Sequence, residues 1–262
     1  IEFKDLETIY FKNHLNKAKD ASSSKKESKL LSSIKIDKLN IENASAIVYD
    51  GTKDSILVSL KNTTISIKDI VLDESSKSNL IPFNYKTINI AADSIFYKTS
   101  NYENINLNHL LFEDQTLTLH GFHYKNKYSK KEYESLLTIQ RDYYDVTAEK
   151  LIINELALGK ENDSVVFKTN LISIDKANAA IYRDKFEKKE DLRIKKLYSK
   201  VIRELPLKLT VDSVSVKNSS IEYSEKLLRE YQAGLLTIKI IDAGITNVSN
   251  TYPSPERTVI IL

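Results

Sequence analysis

The chain has 262 residues and a nearly balanced charge, 39 Lys and Arg against 36 Asp and Glu, leaving a net of +3. That length suits one large all-β domain or two ordinary ones, and so small a net charge argues against nucleic acid or a strongly acidic partner. With no cysteine, disulfides, thiolate zinc sites and thiol nucleophiles are excluded.

Methionine is also missing and the chain opens on Ile1, so the expectation is a processed segment with a signal peptide or membrane anchor upstream. No run approaches the roughly 20 apolar residues of a membrane-spanning helix. Glycine (5) and proline (4) are scarce, which favours long strands joined by polar turns over tightly cornered solenoids or propellers.

From the N-terminus, Ile1 to Lys19 carries a mixed pattern (Leu6, Ile9, Tyr10) that predicts a helix, and "DASSSKKESK" from Asp20 is a polar, flexible link. The expected division is therefore a helical and linker segment over 1–29 and a repeating β-sheet domain over 30–262. Helical insertions are expected near 129–140 and 192–205.

The sheet domain opens with "IKIDKLNI" from Ile34, apolar at positions 1 and 3 and again at 6 and 8. Side chains alternate faces along a strand, so this apolar face switches parity across Asp37-Lys38. The pattern returns as "ISIKDIVL" from Ile65, "INIAADSI" from Ile88 (imperfect at Asp93) and "LTLHGFHY" from Leu117. It continues with "VTAEKLII" from Val146, "ISIDKANA" from Ile172, "LTVDSVSV" from Leu209 and "IKIIDAGI" from Ile238. Eight copies start between 23 residues (Ile65 to Ile88) and 37 residues (Ile172 to Leu209) apart, a repeat architecture. A parity change within one environment needs an extra residue, a β-bulge, which bends and twists the strand. Bulges at matching places in neighbouring strands would curl the whole sheet around an apolar interior. A second echo, "NASAIVY" at Asn43, "DSIFY" at Asp93, "NAAIY" at Asn178 and "NSSIEY" at Asn218, reads as the strand continuing beyond the bend.

His120 and His123 lie three apart within the fourth copy. On a regular strand they point to opposite faces, whereas a chelating pair prefers i and i+2, and no third ligand is near in sequence. Neither a metal nor any other cofactor is expected. Next, Ser129 and Glu132 form a capping box that opens a short helix carrying Tyr133, Leu136 and Leu137. Asp142 and Asp145 flank two tyrosines and could be imagined as glycosidase carboxylates, but a solvated turn before Val146 is the simpler reading. The best helix runs from Ile194 to Leu205, stopped by Pro206, with Lys195, Lys196, Lys200 and Arg203 on its polar face. A basic amphipathic helix can lie on an anionic membrane; covering an end or edge of the sheet is preferred here.

No nucleophile elbow, phosphate-binding glycine loop or HExxH motif occurs. Tyrosines recur at one place in the repeat (Tyr49, Tyr97, Tyr182, Tyr223), arguing for a structural role at strand ends rather than stacking on bases or sugars. The sequons at Asn43 and Asn218 matter only in a glycosylating pathway.

The stretches "AAIYRDKF", the helix ending in Leu205-Pro206, "LTVDSVSVKN" and "GITNVSN", with "IKIDKLNIENASAIVYD" and "GFHYKNKYSKKEYESLL" upstream, resemble AsmA-like proteins of Gram-negative bacteria over roughly residues 30–250. What that resemblance implies is an inner-membrane anchor upstream, a β-rich body in the periplasm, and a repeating β-groove that carries lipid acyl chains toward the outer membrane. The expected fold is all-β dominated, with long bent antiparallel strands in a strongly curved sheet and a few peripheral helices. The expected function is non-enzymatic phospholipid or other acyl-lipid handling in transport or outer-membrane biogenesis, with possible membrane contact and no nucleic acid. Candidate lining residues are Ile34, Ile36, Ile65, Ile67, Leu117, Leu119, Leu209 and Val211. The same parity also suits a structural or adhesive scaffold with a self-packed core, and catalysis by residues from distant repeats stands third.

Overall fold

The computed structural model describes residues 1–12, 33–51, 55–185, 189, 198–227, 232–251 and 259–261. Among the described residues, thirteen strands form one sheet. They are β1 (Glu2–Lys4), β2 (Glu7–Phe11), β3 (Ile34–Tyr49), β4 (Ile56–Leu72), β5 (Thr87–Lys98), β6 (Glu103–Glu113), β7 (Thr116–Asn126), β8 (Tyr143–Asn154), β9 (Ala157–Glu161), β10 (Ser164–Asp184), β11 (Leu207–Lys226), β12 (Gly234–Ser249) and β13 (Val259–Ile261). Two short α-helices among the described residues accompany them, α1 (Lys130–Leu136) and α2 (Tyr198–Arg203).

The spatial order is β1-β3-β4-β5-β6-β7-β8-β10-β11-β12-β13, with β2 also beside β3 and β9 also beside β10. From β3 to β10 neighbours pair antiparallel, whereas β10 and β11 run parallel, joined by the connection that holds α2. The sheet does not close; it is a curled open sheet, as expected. Among the described residues, strands and helices touch extensively only along hydrogen-bonded neighbours, so no second layer of regular elements spans the sheet.

The cause of the curl is a row of left-handed residues. Asp5, Asn43, Asn62, Ser94, Gly121, Lys176, Asn218 and Ile240 all have φ between 49° and 62°, a region that costs most L-residues and suits Asn and Gly. Strand register places them in one line across the sheet, with Asn108 of β6 and Glu149 of β8 filling the gaps. Across β5 to β11 the register is the same on both sides of this line, because each strand carries its extra residue at the same level. The result is a crease rather than isolated bulges.

A second crease lies six or seven residues away. It runs through Asp37 opposite Asp69 (φ 53°), then Glu155 (φ 50°) and Asn170, to Asp212 opposite Asn247 (φ 57°). The eight sequence copies therefore are not one structural unit. Those starting at Ile34, Ile65 and Leu209 mark the second crease, and the other five mark the first. The echo motifs begin within two residues of the first crease, as strands continuing beyond it.

The helical reading of residues 1–19 is corrected over its described part, since β1 and β2 are strands paired parallel with β3. Leu6, Ile9 and Tyr10 satisfy a helical spacing, yet docking backbone groups on the open edge of β3 outweighs so weak a propensity. Residues 13–32, including the proposed link, lie outside the described residues, as do 194–197 of the second expected helix. Helix α1 forms where the capping box places it, with the Ser129 side chain accepting from the Glu132 backbone.

Candidate functional site

The two creases divide the sheet into three bands, and side-chain ladders cross each band on one face. In the middle band the ladder reads Ile41, Ile65, Ile90, Phe112, Leu117, Ile153, Ile172, Val214, Ile245, one residue from each of nine consecutive strands. A parallel row beside it runs from Ala92 through Leu110, Leu119, Leu151, Ile174 and Val216 to Ala243. Beyond the first crease the same face carries Val48, Val58, Tyr97, Ile105, Tyr124, Val146, Ala179, Ile221 and Ile238. At each crease two successive residues turn to the opposite face, and the apolar stripe passes through unbroken. The Asn218 amide, on the crease, donates to Asp175 at 2.9 Å, one register step away on that outer face.

The eight sequence candidates all lie on this apolar face. Leu117 and Ile65 belong to the nine-strand ladder, Leu119 to the row beside it, and Ile67 one row further out, next to Ile88. Ile34, Ile36, Leu209 and Val211 lie beyond the second crease. They are not equally open. Ile67 and Val211 are buried, whereas Ile34 is 45% exposed.

One part of the face is roofed. Strands β5 to β7 stop at the second crease, while β4 on one side and β9 to β12 on the other continue past it. This leaves a notch four strand spacings wide, roughly 19 Å along the sheet. The β4–β5 connection arches over it, beginning in a 3-10 turn at Ser75–Ser78. Asp73 anchors the arch by accepting from the Ser76 backbone at 3.1 Å and from the Ser75 hydroxyl at 2.6 Å, and these bonds hold its carboxyl below the usual range. Beneath the arch lies a cavity of about 610 Å³, lined by Leu80, Ile81, Phe83 and Tyr85 above and by Ile88, Ile90, Leu110, Phe112 and Leu117 below. Leu156 and Leu158 close its far side. That volume is in the range of about 300–1,000 Å³ that holds one small ligand. The arch was missed in the sequence; its signal is the apolar run "LIPF" broken by Pro82, too short for a strand and too apolar for a free loop.

The outer face is polar. Asp93, His109, His120, Lys150, Asp175 and Lys217 form a register row beside the first crease. His109 bonds Asp93 at 2.6 Å, which holds the Asp93 carboxyl below its ordinary value, and Lys176 pairs with Glu149 at 2.7 Å. His120 and His123 do not take the opposite faces of a regular strand, because the left-handed Gly121 turns both to the outer side. They still form no chelate. His123 bonds Asp145 at 2.7 Å, His120 faces His109, and among the described residues no group of three or more His, Cys, Asp or Glu is placed to hold a metal.

Asp142 and Asp145 have structural partners. The Arg183 guanidinium grips Asp142 through two bonds of 2.5 and 2.6 Å, and the Tyr144 hydroxyl donates to the same carboxylate. Tyr133 of α1 is 1% exposed and meets Tyr102 and Tyr143 edge-on at 5.3 and 5.7 Å. Only about 10 Å³ stays empty in that corner.

Comparison with family models, with curated proteins and with solved structures returns no match. Among the described residues no helix is long and apolar enough to cross a membrane.

Proposed function

We propose that the chain is a non-enzymatic lipid-handling groove that shelters phospholipid or other acyl chains on the apolar face of its sheet. The supporting observation is the nine-strand apolar ladder, roofed only where the β4–β5 arch crosses Ile90, Phe112 and Leu117 among the described residues. Each methylene moved from water onto such a face is stabilised by about 0.8 kcal/mol, enough for one chain to bind without any directed polar contact. The charged outer rows stay in water. The likeness in motif to AsmA-like proteins extends the proposal to the periplasm, to an upstream inner-membrane anchor, and to a part in outer-membrane biogenesis.

Native mass spectrometry of detergent-free protein, followed by solvent extraction, tests the reading. The expected result is stoichiometric phospholipid, lost when Ile153→Asp puts a carboxylate in the middle of the ladder. A lipid-free mass that takes up no labelled phospholipid would instead make the sheet a scaffold for protein contacts.

A further inference from the structure

The roofed notch has a second side. A cavity of about 410 Å³ lies against it on the outer face, and its polar groups are Lys86, Thr87, Asn89, Asp114 and Gln115. Five residues line both cavities: Tyr85, Ile88, Phe112, Leu156 and Leu158. The inner space is walled mainly by aliphatic and aromatic side chains, with Asn79, Asn84 and Lys160 also in its lining, whereas the outer one adds a cation, a carboxylate, a hydroxyl and two amides to Ala157 and the five shared residues. Only a ring of apolar side chains separates them. Within the ring Tyr85 is 41% and Leu158 56% exposed, so each keeps freedom to swing. Leu156 is fixed, buried and tied by its backbone N–H to the Gln115 carbonyl at 2.7 Å.

An apolar chamber joined to a polar one through an apolar neck is complementary to an amphiphile. We infer that the notch is a lateral portal of the groove, where a phospholipid lies with its acyl chain under the arch and its head group in the outer pocket beside Lys86. The inference rests on the groove reading and adds to it a place and an orientation. A head group leaving at the side spares the aliphatic ladder any polar group, which would cost about 1–3 kcal/mol or more if desolvated without partners. It also explains why three strands stop short where their neighbours continue: the missing segments are the opening.

The chain has no cysteine or methionine to complicate mapping of covalent adducts. The protein is loaded from vesicles of phosphatidylethanolamine and phosphatidylglycerol containing one of two photoreactive phospholipids, with the diazirine near the acyl terminus or on the head group. The acyl probe is expected to mark residues 110–117 and 156–158, and the head-group probe residues 86–89 and 114–115. Stoichiometric lipid with both probes spread along the ladder away from the notch overturns the portal and leaves the groove standing. A protein that takes up no lipid overturns both. Leu158→Asp changes an exposed side chain and spares the fold; it is expected to slow uptake about tenfold, as a charge in an apolar neck would, and to reduce acyl-probe labelling at residues 156–158. An unaltered uptake rate overturns the portal as well.

Discussion

The corner beneath α1 and the notch at the other end of the same strands are built from similar materials to opposite ends. Both combine a short helical turn with aromatic side chains and a capping serine or aspartate. Under α1 the aromatic rings meet edge to face, cations lie over the Tyr102 and Tyr128 rings, and about 10 Å³ is left empty. Under the arch the apolar side chains face one another across about 610 Å³. The difference lies in hydrogen bonding. Tyr133 donates to the Asp142 carbonyl and Tyr143 to that of Tyr128, fixing where the rings sit, whereas Leu80, Ile81, Phe83 and Leu158 have no polar group to fix them. A single-layer sheet is stapled at one corner and left open at the other.

The largest effect expected from breaking the staple is Tyr133→Ala, which removes a fully buried ring and should cost about 3–5 kcal/mol. Leu158→Ala at the notch should change stability by less than about 0.5 kcal/mol; equal losses in denaturant titrations would erase the contrast between the corners. Next comes alkaline pH. Burial raises the phenols of Tyr133 and Tyr223 from 10.0 to about 12, and those of Tyr143 and Tyr144 shift the same way. A raised folded pKa contributes stability in full below pH 10 and loses it as pH climbs through about 12. The melting temperature should fall over that window together with the rise of tyrosinate absorbance, which no tryptophan obscures. Ordinary titration near pH 10 with a flat melting temperature would show the rings to be open to water.

Gly121→Ala addresses the crease that joins the two corners. Its Cβ would stand 2.2 Å from Asn108 Nδ2 at a φ of +62°, so a loss of about 2–3 kcal/mol is expected. Asn108→Gly in the same chain should restore part of it; no loss in the single variant would mean the crease yields freely. The smallest effect has the opposite sign. Ile240 holds the crease conformation at φ 58° while 82% exposed, so Ile240→Gly relieves strain without uncovering a core and should stabilise by up to about 1 kcal/mol. A loss at this position would reveal a contact that Ile240 makes in solution.

The parity switch was legible because it needs only the order of apolar and polar residues. "LTLHGFHY" and "ISIDKANA" announce the first crease at the level where Gly121 and Lys176 adopt positive φ. That two creases exist was hidden, since both write the same eight-residue pattern and only register tells Asp69 from Asn62. The face of the eight candidates followed from parity, but their exposure did not: Ile67 and Val211 are buried while Ile34 stays open, a difference set by tertiary surroundings rather than by the local pattern. Edge strands β1 and β2 were illegible, and the arch left only the run "LIPF" as a sign, for a related reason. Each owes its conformation to a partner far away in the chain, β3 for one and the notch for the other.

The neighbour-only pairing of the sheet has a consequence for how it assembles. From β3 to β8 every strand finds its partner through the connection just made, so the chain can zip like a solenoid, each hairpin adding one interface and needing only the last. The parallel joint between β10 and β11 interrupts this, because its closure must first span the long connection that carries α2. Protection from hydrogen exchange should accordingly divide there, with β11 and β12 opening as one cooperative block while β3 to β10 remain paired.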